Sequence, residues 1–167
     1  GGNTNKPLAT NGEDGNKEVF ELSDGIILLP HEYAELFRGY LLQMIRKLLL
    51  SDLVDPITVS KMVDFTARLF LENHQSVYED LGKLEWSSLW LSLLQAMQSV
   101  LDWVDAKIAD KEVQNGMKTG IYKWLNDLLR SSQENQILDE KIDPALWKQT
   151  TKILYHQQAP AGGEASV

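Results

Sequence analysis

No cysteine occurs among the 167 residues. That excludes a disulfide framework and any thiolate zinc site, and it suits a reducing compartment. Proline is scarce, at 5 residues. Three of them, Pro30, Pro56 and Pro144, stand where a helix would open, a position that tolerates the missing N–H. Long apolar runs are also lacking. The longest is Ile26 to Leu29, far short of the ~20 residues a membrane span requires. The leucine-rich stretch from Tyr40 to Ser51 is interrupted by Gln43, Arg46 and Lys47. With no signal peptide visible, the expectation is a soluble, cytoplasmic protein with no membrane partner.

Basic residues are outnumbered, 16 against 24 acidic ones, for a net charge of −8. Such a surface repels phosphate backbones, so no nucleic-acid partner is expected. Lys148 and Lys152 could imitate a recognition helix, but Asp139, Glu140 and Asp143 precede them. An acidic surface is better suited to a basic partner.

Motifs of chemistry are missing too. There is no Walker sequence, no G-x-G-x-x-G, no G-x-S-x-G elbow, no E-x-x-H and no H-E-x-x-H. The three histidines, His31, His74 and His156, fall in three separate segments. His31 and Glu35 share a helix face as a surface pair. His74 reads as a helix-end residue, and His156 sits in a last turn, where a cation is favoured. The carboxylate pairs Glu79-Asp80 and Asp139-Glu140 lie in expected loops or frayed ends. No catalytic residue, metal site or cofactor is therefore assigned.

What is present is helical periodicity. Residues 1–18 and 158–167 are too poor in large apolar side chains to offset their ordering entropy, and are expected to be disordered tails. Residues 19–157 form the expected helical domain. Asp24-Gly25, between Val19–Leu22 and Ile26–Leu29, predicts a short β-hairpin or an extended arm before the first helix.

The first helix is predicted from about Pro30 to Leu50. Tyr33, Leu36, Phe37, Tyr40, Leu41, Met44, Ile45, Leu48 and Leu49 form its inward stripe. A second starts at Asp55-Pro56, buries Val59, Met62, Val63, Leu69 and Phe70, and frays between Asn73 and Gly82. A third runs from about Trp86 to Asp110 along the line Trp86, Trp90, Leu93, Met97, Leu101, Val104 and Ile108. Asn115-Gly116 reads as a stop. A fourth helix follows from about Met117 to Ser131, and a fifth opens at Asp143-Pro144. The expected fold is all-α: a single-domain antiparallel bundle or irregular array of about five helices.

Five tryptophans are present. Trp86, Trp90, Trp124 and Trp147 fit apolar stripes, whereas Trp103 and Leu91 fall off the stripe of the third helix. Exposed tryptophan is enriched where proteins meet. Trp103 and Leu91 are thus candidate contacts for a protein partner or a homo-oligomer; burial of the third helix on all sides would instead place both against other helices. Ile26, Ile27 and Leu28 in the apolar arm are the second candidate surface. The expected function is a non-catalytic protein-interaction module: an adaptor, small regulator or assembly factor with an acidic helical surface. Two alternatives remain, a helical bundle that binds an apolar or aromatic small molecule, and an enzyme with an unrecognised site.

Overall fold

The computed structural model describes residues 20–21 and 27–158. Two short strands, β1 (Phe20–Glu21) and β2 (Ile27–Leu28), pair antiparallel, with Phe20 opposite Leu28 and Glu21 opposite Ile27. The intervening turn, with Asp24, Gly25 and Ile26, lies outside the described residues. So do residues 1–19 and 159–167, which hold most of the two expected tails.

Five helices follow, and they form an all-α bundle. Helix α1 comprises Pro30–Leu36, a π-helical turn Phe37–Leu41 and Leu42–Leu50. Pro30 opens it, and the Glu32 carboxylate accepts the Leu29 N–H at 3.0 Å. Helix α2 spans Pro56–Leu81, α3 Lys83–Lys107, α4 Lys111–Glu134 and α5 Pro144–Gln158. The Asp55 and Asp143 carboxylates accept the N–H groups of Thr58 and Leu146, as N-caps do. Both Asp-Pro starts were legible in the sequence.

Three expectations are corrected. Helix α2 does not fray after Asn73 but continues to Leu81. The Asn73 amide donates to the Leu69 carbonyl, and His74 and Val77 are buried, so tertiary contacts hold this stretch. Gly82, at φ +91°, supplies the left-handed residue that lets α2 end and α3 begin at once.

Asn115-Gly116 is not a stop: α4 begins at Lys111 and runs through both. The Asp110 carboxylate accepts the Glu112 and Val113 N–H groups, and the Gln114 amide donates to the Val104 and Ile108 carbonyls at 3.4 and 3.2 Å. Capping and that bridge outweigh the cost of a glycine, about 1 kcal/mol. Helix α3 correspondingly begins earlier and ends earlier than expected, leaving Ile108 in extended backbone.

The inward stripe of α1 is also different. Tyr33, Phe37, Leu41 and Ile45 are buried as expected, but so is Leu42, while Tyr40 is exposed and Met44 and Leu48 are only half-buried. The π turn explains the change. Its i→i+5 bond, from the Leu42 N–H to the Phe37 carbonyl, places an extra residue in one turn. The core stripe therefore advances by one position. Leu41, Leu42 and Ile45 take the places that unbroken periodicity gives to Tyr40, Leu41 and Met44.

Helix α3 is central and packs against each of the other four. Its predicted line from Trp86 to Val104 is buried, together with Leu89, Leu94, Ala96 and Val100. Around it runs a continuous chain of rings. Tyr33 stacks on Phe37, Phe37 meets Phe70, and Phe70 meets both His74 and Trp90. Trp90 lies 4.9 Å from Trp86, which meets Tyr78 edge-on. Two polar tips of these rings find partners: Tyr33 Oη donates to the Leu69 carbonyl at 3.0 Å and Trp90 Nε1 to Thr150 Oγ1 at 2.8 Å, whereas the buried Trp86 Nε1 has none among the described residues. Trp124 Nε1 donates to the Ala67 carbonyl at 2.6 Å, tying α4 to α2.

Candidate functional site

Of the expected site residues, Trp103 and Leu91 lie twelve positions apart on α3, roughly 18 Å along its axis. Trp103 and Leu91 are both half-buried against the core, and neither is among the exposed large apolar side chains. Ile27 and Leu28 sit in β2, paired with β1, and their side chains, like all of Ile26, lie outside the described residues. Trp103 does line a cleft of about 240 Å³ with Ser51, Asp52, Val54, Pro56, Lys107 and Ile108. That cleft lies beside the loop joining α1 to α2.

A second depression lies between the two helices that this loop joins. Tyr40, Leu41, Met44 and Leu48 from α1 face Thr58, Lys61, Met62 and Phe65 from α2 across a groove of about 520 Å³. The π turn creates its α1 wall, because it turns Tyr40, Met44 and Leu48 off the core. Met62, expected in the core, is half-buried in the opposite wall. Methionine and aromatic side chains make such a surface adaptable to irregular partners.

Large apolar side chains are also exposed on these two helices and the loop that joins them. Leu53 is 94% exposed, Leu50 84%, Ile57 65% and Tyr40 54%. Leu53 lies between two cleft residues, Asp52 and Val54, and Ile57 between Pro56 of the cleft and Thr58 of the groove. Leu50, Leu53 and Ile57 thus stand in water around the α1–α2 loop, with Tyr40 further along α1. No periodicity argument announces this exposure, since a loop has no face and the π turn leaves no motif.

The nearest approach to catalytic geometry lies elsewhere. His74 is buried in mid-helix, not at a helix end, and its Nε2 lies 3.0 Å from Ser131 Oγ. A base beside a hydroxyl is the first element of nucleophilic catalysis. Here no carboxylate orients the ring: Nδ1 has no partner among the described residues. Phe70 stacks on the ring and Trp90 meets it edge-on, leaving it in apolar surroundings. Burial lowers the His74 pKa to about 4, so the ring is neutral near pH 7. A proton on Nε2 would serve the Ser131 contact and leave only a lone pair, not an N–H, unpaired at Nδ1. Its role is that of an aromatic core residue.

No family model, curated protein or solved structure matches this chain.

Among the described residues no cluster of three metal-ligating side chains occurs, and no helix is long and apolar enough to cross a membrane. His31 is exposed at the start of α1. His156 falls in the last turns of α5, and its side chain is outside the described residues. One further cavity, of about 180 Å³, lies between α2, α3 and α4. Met97, Val100, Met117, Ile121 and Trp124 line it, with Gly116 and Gly120 at its edge. A methyl group added at either glycine would meet no atom within 4 Å.

Proposed function

We propose that the protein is a non-catalytic interaction module that engages a protein partner through the apolar end formed by α1, the α1–α2 loop and the first turns of α2. The observation that carries this reading is an apolar groove between α1 and α2, rimmed by the exposed Tyr40, together with Leu50, Leu53 and Ile57 exposed around the loop that joins the two helices. Isolated exposed leucines are ordinary, but several large apolar side chains in water beside an apolar groove support a contact surface. Trp103, at the floor of the neighbouring cleft, lies within reach of the same contact.

Site-specific photo-crosslinking tests the reading. A benzophenone at position 53 is expected to give discrete adducts in native lysate, while one at position 126, on the exposed face of α4, gives none. Equal labelling from both positions, or none from position 53, overturns it.

A second reading rests on the cavity between α2, α3 and α4. Its volume, about 180 Å³, is close to the roughly 150 Å³ at which an apolar cavity accepts a benzene-sized guest. Its lining of methionine, tryptophan and aliphatic side chains suits a small apolar ligand. Native mass spectrometry of freshly purified protein would reveal a retained mass, and a clean apo mass removes the idea.

A further inference from the structure

The groove is apolar on its floor and basic at its lips. Lys61 lines the α2 side. On α1, Lys47 falls about 60° from Met44 on the side away from Leu48, taking 100° per residue within the regular segment Leu42–Leu50. Neither lysine makes an ion pair among the described residues. The carboxylate nearest to Lys61 in its influence, Asp55, is already engaged: the Thr58 N–H it accepts, more than Lys61, holds its pKa below the usual range. Asp64 is likewise occupied, by Arg68. A chain of net charge −8 therefore presents, at its most apolar surface, two uncommitted cations.

The geometry points to one occupant: an amphipathic helix of another protein, seated between α1 and α2, with three apolar anchors on one face and Asp or Glu flanking them. The length agrees. Tyr40, Met44 and Leu48 cover nine residues of α1, roughly 12 Å from first to last, and anchors at i, i+4 and i+7 of a partner helix cover about 11 Å. This inference rests on the interaction-module reading and names its partner.

Other occupants fit less well. The chain's own ends lack the anchors, since residues 1–18 carry a single large apolar residue, Leu8, before Val19, and 159–167 carry none beyond Val167. A second copy related by twofold symmetry would bring the same basic-lipped surface onto itself, with no carboxylate supplied to either lysine, in two chains of like net charge. An anionic bilayer would meet Asp52 and Asp55 on either side of Leu53.

Selection from a phage-displayed library of 16-residue peptides tests the inference with the full chain as bait. The control bait is the Tyr40→Asp, Met62→Asp double variant, checked for unchanged helicity by circular dichroism. Enriched peptides are expected to share the i, i+4, i+7 apolar pattern, to carry more Asp and Glu than Lys and Arg, and to lose at least tenfold in affinity on the control bait. Lys47→Glu with Lys61→Glu should weaken them by a similar factor and leave thermal stability unchanged.

Peptides that bind both baits equally, or that are predominantly basic, overturn the groove assignment while leaving the interaction-module reading intact. Failure to enrich any peptide, together with binding of the full chain to vesicles of phosphatidylcholine and phosphatidylserine, overturns both. A concentration-dependent dimer in light scattering that the Tyr40→Asp, Met62→Asp variant abolishes would replace the foreign helix with a second copy and overturn the proposal.

Discussion

Two regions of this bundle are built from the same kinds of residue and end in opposite states. Around Trp90, the rings of Phe37, Phe70, His74 and Trp86 are all buried: Phe70, His74 and Trp86 meet Trp90, and Phe37 meets Phe70. Around Tyr40, an equally apolar set of Met44, Leu48, Met62 and Phe65 is left half-covered, with Leu50 and Leu53 in water. The difference is one of connection. The Trp90 region lies under the central helix, which every other helix contacts. At the Tyr40 end, two helices meet at a loop with no third helix across them among the groove's own lining residues. Apolar composition alone therefore does not determine burial; the number of elements available to close over a surface does.

Truncation gives the sharpest contrast between the two regions. Trp90→Ala removes a buried ring and leaves a cavity, and should cost about 3–5 kcal/mol. Thermal denaturation should show this as a fall on the order of 10–20 °C in Tm. Tyr40→Ala should stay within about 0.5 kcal/mol of the parent, as surface changes do. A comparable loss from both would show that the Tyr40 end is closed in solution and would erase the distinction.

A second measurement isolates the buried histidine. Its folded pKa, about 4, lies below the value of about 6.5 expected in the unfolded chain. As pH falls, the unfolded state is protonated first. The stability contributed by keeping the ring neutral is complete above about pH 6.5 and is lost as pH falls toward 4. At about 1.4 kcal/mol per unit, the loss by pH 5 is roughly 2 kcal/mol. His74→Phe keeps a ring between Phe70 and Trp90 and should flatten this slope between pH 6.5 and 5 in chemical denaturation. An unchanged slope would remove the histidine from the account.

The smallest effect concerns the cavity edge. Gly116→Ala and Gly120→Ala lie in mid-helix where a methyl group meets nothing, so each should raise stability by about 0.5–1 kcal/mol. A loss instead would show that α2 and α4 approach more closely in solution, making the cavity a closed seam.

Much of the fold was legible in the residue order because most helix starts carry chemistry that can be read locally. Asp55-Pro56 and Asp143-Pro144 each state a cap and a first turn. The stripe of α3, from Trp86 to Val104, needed only the helical period. Errors arose where distant groups decided the outcome. Gly116 stays helical because Gln114 reaches back to carbonyls at the end of α3. His74 is enclosed by Phe70 from its own helix and by Trp90 and Ser131 from two others.

The groove was hidden for a different reason. Its α1 residues obey the helical period, and it is the extra residue in the turn, invisible to periodicity, that moves Tyr40, Met44 and Leu48 outward while Leu41 stays buried. Trp103 and Leu91 were noticed because they break the period of α3, yet a central helix can accept side chains on any flank.

The π turn also has a consequence for chain length. In an ordinary helix, losing one residue swings everything downstream by about 100°, so that buried and exposed faces exchange. At Phe37–Leu41 the surplus is already stored in a wide turn. Excision of Gly39, whose Cα faces open space, would relax that turn to a regular one and leave Leu41, Leu42 and Ile45 aimed as they are. Within α1, this is a place where insertion and deletion can come and go without the interior registering the change.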